Sequence, residues 1–139
     1  MNESKRKQLA KAFAALPDEC KYATATEGQL LDFESRFGPI PDDFRWFLIH
    51  CGGGIIGSEW VDGIEKLPET HLKFMAESAI GNGWTMKGVF IIGWDGAGNP
   101  FGIETATGRI VTEDHNFAGI HEISPSFDAY VERGLPPNK

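Results

Sequence analysis

Apolar positions in the first third of the chain recur at helical spacing. Leu9, Phe13 and Leu16 fall at i, i+4 and i+7 and Pro17 follows, which predicts a helix over residues 3–16. A second helix opens at Thr26, where Gln29 three residues on fits a capping box (Thr24 with Glu27 is a rival frame). Leu30, Phe33 and Phe37 then share one side, and Gly38 supplies the left-handed stop. Pro41 suits the first position of a third helix, and Asp42 and Asp43 complement its dipole. The apolar face of that helix is Phe44, Phe47, Leu48 and Cys51, with Trp46 and Ile49 pointing elsewhere, and Gly52 ends it.

Beyond Gly52 the periodicity changes. Glycines crowd together, and short apolar runs lie between them: Gly54–Trp60, Val61–Leu67, Val89–Trp94, Phe101–Glu104 and Arg109–Thr112. This spacing predicts strands of about five residues joined by glycine turns. One helix interrupts them, Pro68–Ile80, with Leu72, Met75, Ala76 and Ala79 on one side. Ser126 caps a last short helix through Arg133, with Phe127, Tyr130 and Val131 buried and Gly134 closing it. Residues 134–139, with Pro136 and Pro137, read as a frayed tail. Helices, then strands, then a helix predict an α+β domain; regular βαβ alternation is absent, which argues against a doubly wound parallel sheet.

Length adds that this is a single domain over residues 1–139, large enough to bury about two-thirds of its surface without a metal or disulfide. Charge adds more. Thirteen Lys and Arg stand against 20 Asp and Glu, a net −7. Residues 1–11 hold Lys5, Arg6, Lys7 and Lys11 against Glu3, so the other 128 residues carry nine bases against nineteen acids. Such a body repels phosphate backbones, so no direct nucleic-acid binding is expected, and it attracts a basic partner. The basic cluster opposes the dipole of the first helix, whose end is expected to fray. Cys20 and Cys51 make no disulfide framework, and MNESKRKQLAKAF lacks the apolar stretch of a secretory signal. No run approaches a membrane span, so a cytoplasmic protein is expected.

Candidate chemistry is sparse. Gly52-Gly53-Gly54-Ile55-Ile56-Gly57 has the letters of a dinucleotide loop but follows a helix and precedes a strand, the reverse of what pyrophosphate binding needs. Asp95-Gly96-Ala97-Gly98-Asn99 lacks the acids of a calcium loop, having Ala97 and Ala106 where they belong, and reads as a hairpin turn held by Asp95 and Asn99. Cys20, His50, Cys51, His71, His115 and His121 show no zinc-ligand spacing. There is no nucleophile elbow, Cys51 reads as an inert core thiol, and no acid–base pair stands out. No catalytic residue, cofactor or metal is therefore assigned. What remains is aromatic: Trp46, Trp60, Trp84 and Trp94 lie near turns or off the main apolar faces, and Trp is a natural interface anchor.

At Thr26–Gly54, TEGQLLDFESRFGPIPDDFRWFLIHCGGG, the chain resembles the SUKH superfamily, the Smi/Knr-type domain. Phe33-Glu34, Ile40-Pro41 and Phe44-x-x-Phe47-Leu48 match its opening motifs in place, while Gly52 stands where the family has Asn. Val89–Ile110 resembles the family's strand, Asp-Gly-x-Gly-Asn turn, strand and Thr-Gly turn, and Asp114-His115 and Ser126-Phe127 are similar to two shorter features downstream. The likeness covers about residues 26–132 and leaves residues 1–20 as a helical extension.

The resemblance implies helices packed on a predominantly antiparallel sheet. It implies no catalytic residues and, for bacterial members, an immunity protein that binds and blocks a cognate toxin, often a nuclease. Glu59, Trp60, Asp62, Glu65, Trp84 and Trp94 are the expected partner-binding residues, on a monomer or weak dimer facing a basic toxin domain. Two other readings stay open: a regulatory adaptor like the fungal relatives, and a small-ligand-binding protein or enzyme with a pocket near the Asp95–Asn99 turn.

Overall fold

Where apolar spacing and a capping signal coincide, helices form. The computed structural model describes residues 1–81, 83–115 and 119–135. Helix α1 spans Glu3–Ala14, α2 Glu27–Phe37 and α3 Asp42–His50. Thr26 and Gln29 complete the capping box: the Gln29 N–H donates to Thr26 Oγ1 at 3.2 Å, and the Thr26 N–H to Gln29 Oε1 at 2.9 Å. Phe33 and Glu34 act in opposite directions. Phe33 is 1 % exposed in the core, while the Glu34 carboxylate accepts from the Ile40 N–H at 3.2 Å and from Arg45 at 3.3 Å. One carboxylate thus ties α2 to the Ile40-Pro41 joint and to α3.

The start of α1 is docked rather than frayed. Asn2 caps it through the Lys5 N–H, Lys5 pairs with Glu132, and Arg6 lies 3.4 Å from Asp43 and 5.2 Å from the centre of the Trp46 ring. Carboxylates on other helices thus supply what the dipole of α1 does not.

The chain leaves α3 through Gly52 and Gly53 into β1 (Gly54–Ile56), which pairs antiparallel with β2 (Glu59–Val61). A side chain could not occupy these glycines. Gly52 has φ +87°, and a Cβ there would sit 2.4 Å from the Tyr22 carbonyl oxygen. One at Gly54 would meet the Cys20 carbonyl at 2.5 Å. The segment before α2 presses flat against the triplet, with the Tyr22 N–H donating to the Gly53 carbonyl at 2.8 Å. The triplet is a close-packed backbone junction, not a phosphate loop.

Next come α4 (Leu67–Ser78), β3 (Val89–Trp94), β4 (Pro100–Glu104), β5 (Ile110–Glu113), β6 (Ile120–Ser124) and α5 (Phe127–Gly134). The last four strands form an antiparallel meander in the order β3-β4-β5-β6. The Asp62 N–H bonds the Ile92 carbonyl at 2.8 Å and links β2 to it. The fold is α+β, with helices on antiparallel sheets, as the sequence predicts.

Two element predictions need correction. The runs Gly54–Trp60 and Val61–Leu67 are not two full strands: Gly57, at φ +67°, folds the first back into a three-residue hairpin, and the second is a turn leading into α4. Strand β6 has no forecast counterpart, because an exposed edge strand reading Ile-His-Glu-Ile-Ser carries little apolar signal. Residues 136–139 of the expected tail lie outside the described residues.

The sheet has two faces. On the first, Phe90, Ile92, Phe101, Ile103 and Ile110 meet Leu30, Phe33, Phe44, Phe47 and Leu48 of α2 and α3, Leu9 and Phe13 of α1, and Phe127 and Val131 of α5. On the second, Ile91, Val111 and Met86 form a small cluster against Phe74 of α4. Burial pushes the Cys51 thiol up to about 12, so it stays protonated at neutral pH. Among the described residues no helix is long and apolar enough to cross a membrane.

Candidate protein-interaction surfaces

An amphipathic helix ordinarily turns its apolar stripe inward. Helix α4 does the opposite for half of its apolar residues. Leu67 and Thr70 are buried, and His71 and Phe74 lean into the protein. Thr70 is inside because Asp62 is: that carboxyl is 5 % exposed and accepts a hydrogen bond from the Thr70 hydroxyl. Burial pushes Asp62 up to about 6, with the Thr70 hydroxyl and Lys66 holding it lower than burial alone would. His71 is inside because Phe33, Phe37 and Phe90 surround its ring, with centroids 4.7 to 5.7 Å away, and because its Nε2–H donates to the Ile91 carbonyl at 2.8 Å. Burial holds His71 below the usual imidazole range, so it is neutral at pH 7.

With polar groups filling the inward side, the apolar stripe faces outward. Leu72 is 51 %, Met75 59 % and, just past the helix end, Ile80 66 % exposed. Together with exposed Ala76 and Ala79 they form a hydrophobic strip on an otherwise charged surface. Isolated apolar residues on a surface are ordinary, whereas an aligned set marks a place where something else packs.

One edge of the strip joins two of the expected anchors. Trp84 and Trp94 lie 5.9 Å apart. Trp84 Nε1–H donates to Glu77 of α4 at 3.0 Å, and the Lys73 ammonium sits 4.2 Å above the Trp94 ring. The chain just after Trp84 is anchored by Glu113, which is 8 % exposed and accepts from the Thr85 and Met86 backbone N–H groups at 2.7 and 2.8 Å. Glu77 and Lys73 thus tie the aromatic pair to α4.

The other expected partner-binding residues are placed elsewhere. Trp60 is 37 % exposed and packs against Tyr22 on the β1–β2 hairpin, 5.2 Å between ring centres. Glu59, half-buried, accepts from the Gly96 N–H at 3.1 Å. Glu65 is exposed in the turn before α4. Asp62 needs correcting: its carboxyl is inside, committed to Thr70, and offers no surface charge to a partner. No sequence signal pointed to Leu72, Met75 and Ile80 as surface residues, since their spacing is that of an ordinary core-facing helix.

The Asp95–Asn99 turn is the hairpin connection between β3 and β4. Asp95 Oδ1 accepts from the Ala97 and Asn99 N–H groups, both at 2.9 Å, so its lone pairs serve the backbone. A cavity of about 340 Å³ opens beside it. Among the described residues, no three His, Cys, Asp or Glu side chains lie close enough to hold a metal ion.

No curated protein matches the chain. A family model does match, across residues 24–133, which takes in the α2–α3 joint, the glycine junction, α4 and the antiparallel meander. On that match the chain belongs to the SMI1 / KNR4 family (SUKH-1).

Proposed function

We propose that this chain is a non-catalytic protein-binding domain that acts in the cytoplasm as an immunity protein, neutralising a basic toxin domain by covering its substrate-binding face. The observation that carries this reading is the outward apolar side of α4, to which Trp84 and Trp94 are tied through Glu77 and Lys73. A strip of Leu72, Met75 and Ile80 flanked by large aromatic rings has the composition of an interface centre. Glu65, Glu69 and Glu77 lie along the same helix or just before it, with Lys66 and Lys73 as the nearby positive charges. A net −7 chain draws a basic partner in by long-range attraction, and the apolar strip then holds it. A toxin that handles nucleic acid presents such a basic face.

The test is direct. The product of the neighbouring gene is co-expressed with this chain, and its binding and its toxicity to cells are measured with and without it. Binding that relieves toxicity, and that Leu72→Arg or Met75→Arg weakens by at least about tenfold, supports the proposal. Binding unchanged by both variants removes α4 from the interface. A neighbour that is bound but not toxic favours the regulatory adaptor instead.

A further inference from the structure

The cavity beside Asp95 is built from three elements: the β1–β2 hairpin, the meander, and α5. Its lining includes Ile56, Glu59, Asp95, Phe101, Tyr130 and Arg133, and its volume, about 340 Å³, is at the small end of ligand pockets, roughly 300–1,000 Å³. The floor is apolar, since Ile56 and Phe101 are 2 % and 1 % exposed. The polar groups have different amounts of unused capacity. Asp95 is largely spent on its own turn. Arg133 donates to the Ile123 carbonyl at 2.8 Å and has no carboxylate within salt-bridge distance among the described residues. Among the described residues Glu59 accepts one bond, from the Gly96 N–H, through Oε2, and none through Oε1.

Tyr130 brings a second polar group to the cavity wall. The residue is 8 % exposed, and its hydroxyl oxygen, which is not itself buried, makes no hydrogen bond to any described residue. Burial and the negative charge of Glu59 push it up to about 12, so it remains a neutral donor and acceptor. A hydroxyl open in this way can donate to, or accept from, a group that enters the cavity. Glu59 and Asp95 outnumber Arg133, so the cavity is net anionic.

We infer that this cavity receives the side chain of an arginine presented by the partner protein. Its aliphatic stem lies on Ile56 and Phe101, and its guanidinium meets the open Glu59 oxygen and the Tyr130 hydroxyl. A planar fork of donors above an apolar stem fits these two acceptors. This deepens the protein-binding reading and rests on it, but its test needs no partner.

The experiment titrates N-acetyl-arginine methylamide into the free chain and follows backbone amide shifts by NMR. The expected result is saturable change centred on Gly96 and residues 130–134, with a dissociation constant on the order of millimolar. N-acetyl-citrulline methylamide, of the same shape without the charge, is expected to bind several-fold more weakly. Glu59→Gln and Tyr130→Phe should each weaken the arginine probe, by about fivefold and about twofold. No localised shifts, equal shifts from the citrulline probe, or tighter binding of N-acetyl-glutamate methylamide through Arg133 would overturn the inference. A positive titration in a chain that neutralises no toxin would retain the cavity and discard the immunity role.

Discussion

Helices α3 and α4 carry the same sequence signal and meet opposite fates. Phe44, Phe47, Leu48 and Cys51 recur at i, i+3, i+4 and i+7, and all are at most 4 % exposed. Leu72, Met75, Ala76 and Ala79 recur at i, i+3, i+4 and i+7 as well, yet Leu72 and Met75 are more than half exposed. The difference comes from what occupies the other side. Opposite its apolar face α3 offers Asp42, Asp43, Arg45 and His50, none of which has a reason to be inside. Opposite its stripe α4 has Thr70 and His71, each with a buried partner waiting, Asp62 and the Ile91 carbonyl. Periodicity defines a face; partners elsewhere in the fold decide which way it turns.

The contrast can be broken from the α3 side first. Phe47→Ala should cost about 3–5 kcal/mol, measured by denaturant unfolding, because it empties a fully enclosed site between Phe13, Phe44 and Phe127. A loss below about 1 kcal/mol would mean that this helix, too, is only loosely committed.

Asp62 gives the next largest effect, through pH. Its folded carboxyl is raised from 3.8 to about 6, so the folded chain binds the proton more tightly than the unfolded one. Stability from this group is greatest below about pH 4, falls as pH rises to about 6, and is then flat, for a total of about 3 kcal/mol. His71, held low, works the other way, losing stability as pH falls through its ordinary range. Subtracting the profile of Asp62→Asn from the wild type therefore isolates the Asp62 contribution. A difference that does not vary between pH 4 and 7 would show that the carboxyl is solvated.

Thr70→Val should cost about 1–3 kcal/mol at pH 7, because it leaves Asp62 buried without its hydroxyl donor, and less at pH 4, where the acid is neutral. The smallest effect sharpens the comparison most. Leu72→Asp and Met75→Glu should change stability by less than about 0.5 kcal/mol, since both side chains are more than half exposed. A much larger loss would mean the strip is covered within the chain itself.

Legibility in the sequence followed the same divide. The capping box at Thr26, the buried side of α3, the Asp95–Asn99 turn and the glycine stop after α3 are each encoded within a few residues and are readable, whereas the packing of that glycine triplet against Cys20–Ala23 is not. What was not readable depends on distant pairs. Asp62 looks like surface charge until Thr70 is seen to reach it. Trp84 and Trp94, ten positions apart and both chosen as anchors, meet because Glu113 gathers the Thr85 and Met86 N–H groups from across the small second core. Strand β6 is hidden for another reason: Ile120, His121 and Glu122 are all exposed, so no apolar alternation marks it, and only pairing with β5 makes it a strand.

The glycine junction bears on how such a domain could be inherited or transplanted. The segment it clamps, Cys20–Ala23, lies ahead of the matched family region, and so do Leu9 and Phe13, which fill the floor beneath α3. Cutting at the family boundary would therefore uncork the molecule. The Cys20–Ala23 segment is the stopper, shaped to lie against the bare backbones of Gly52 and Gly54.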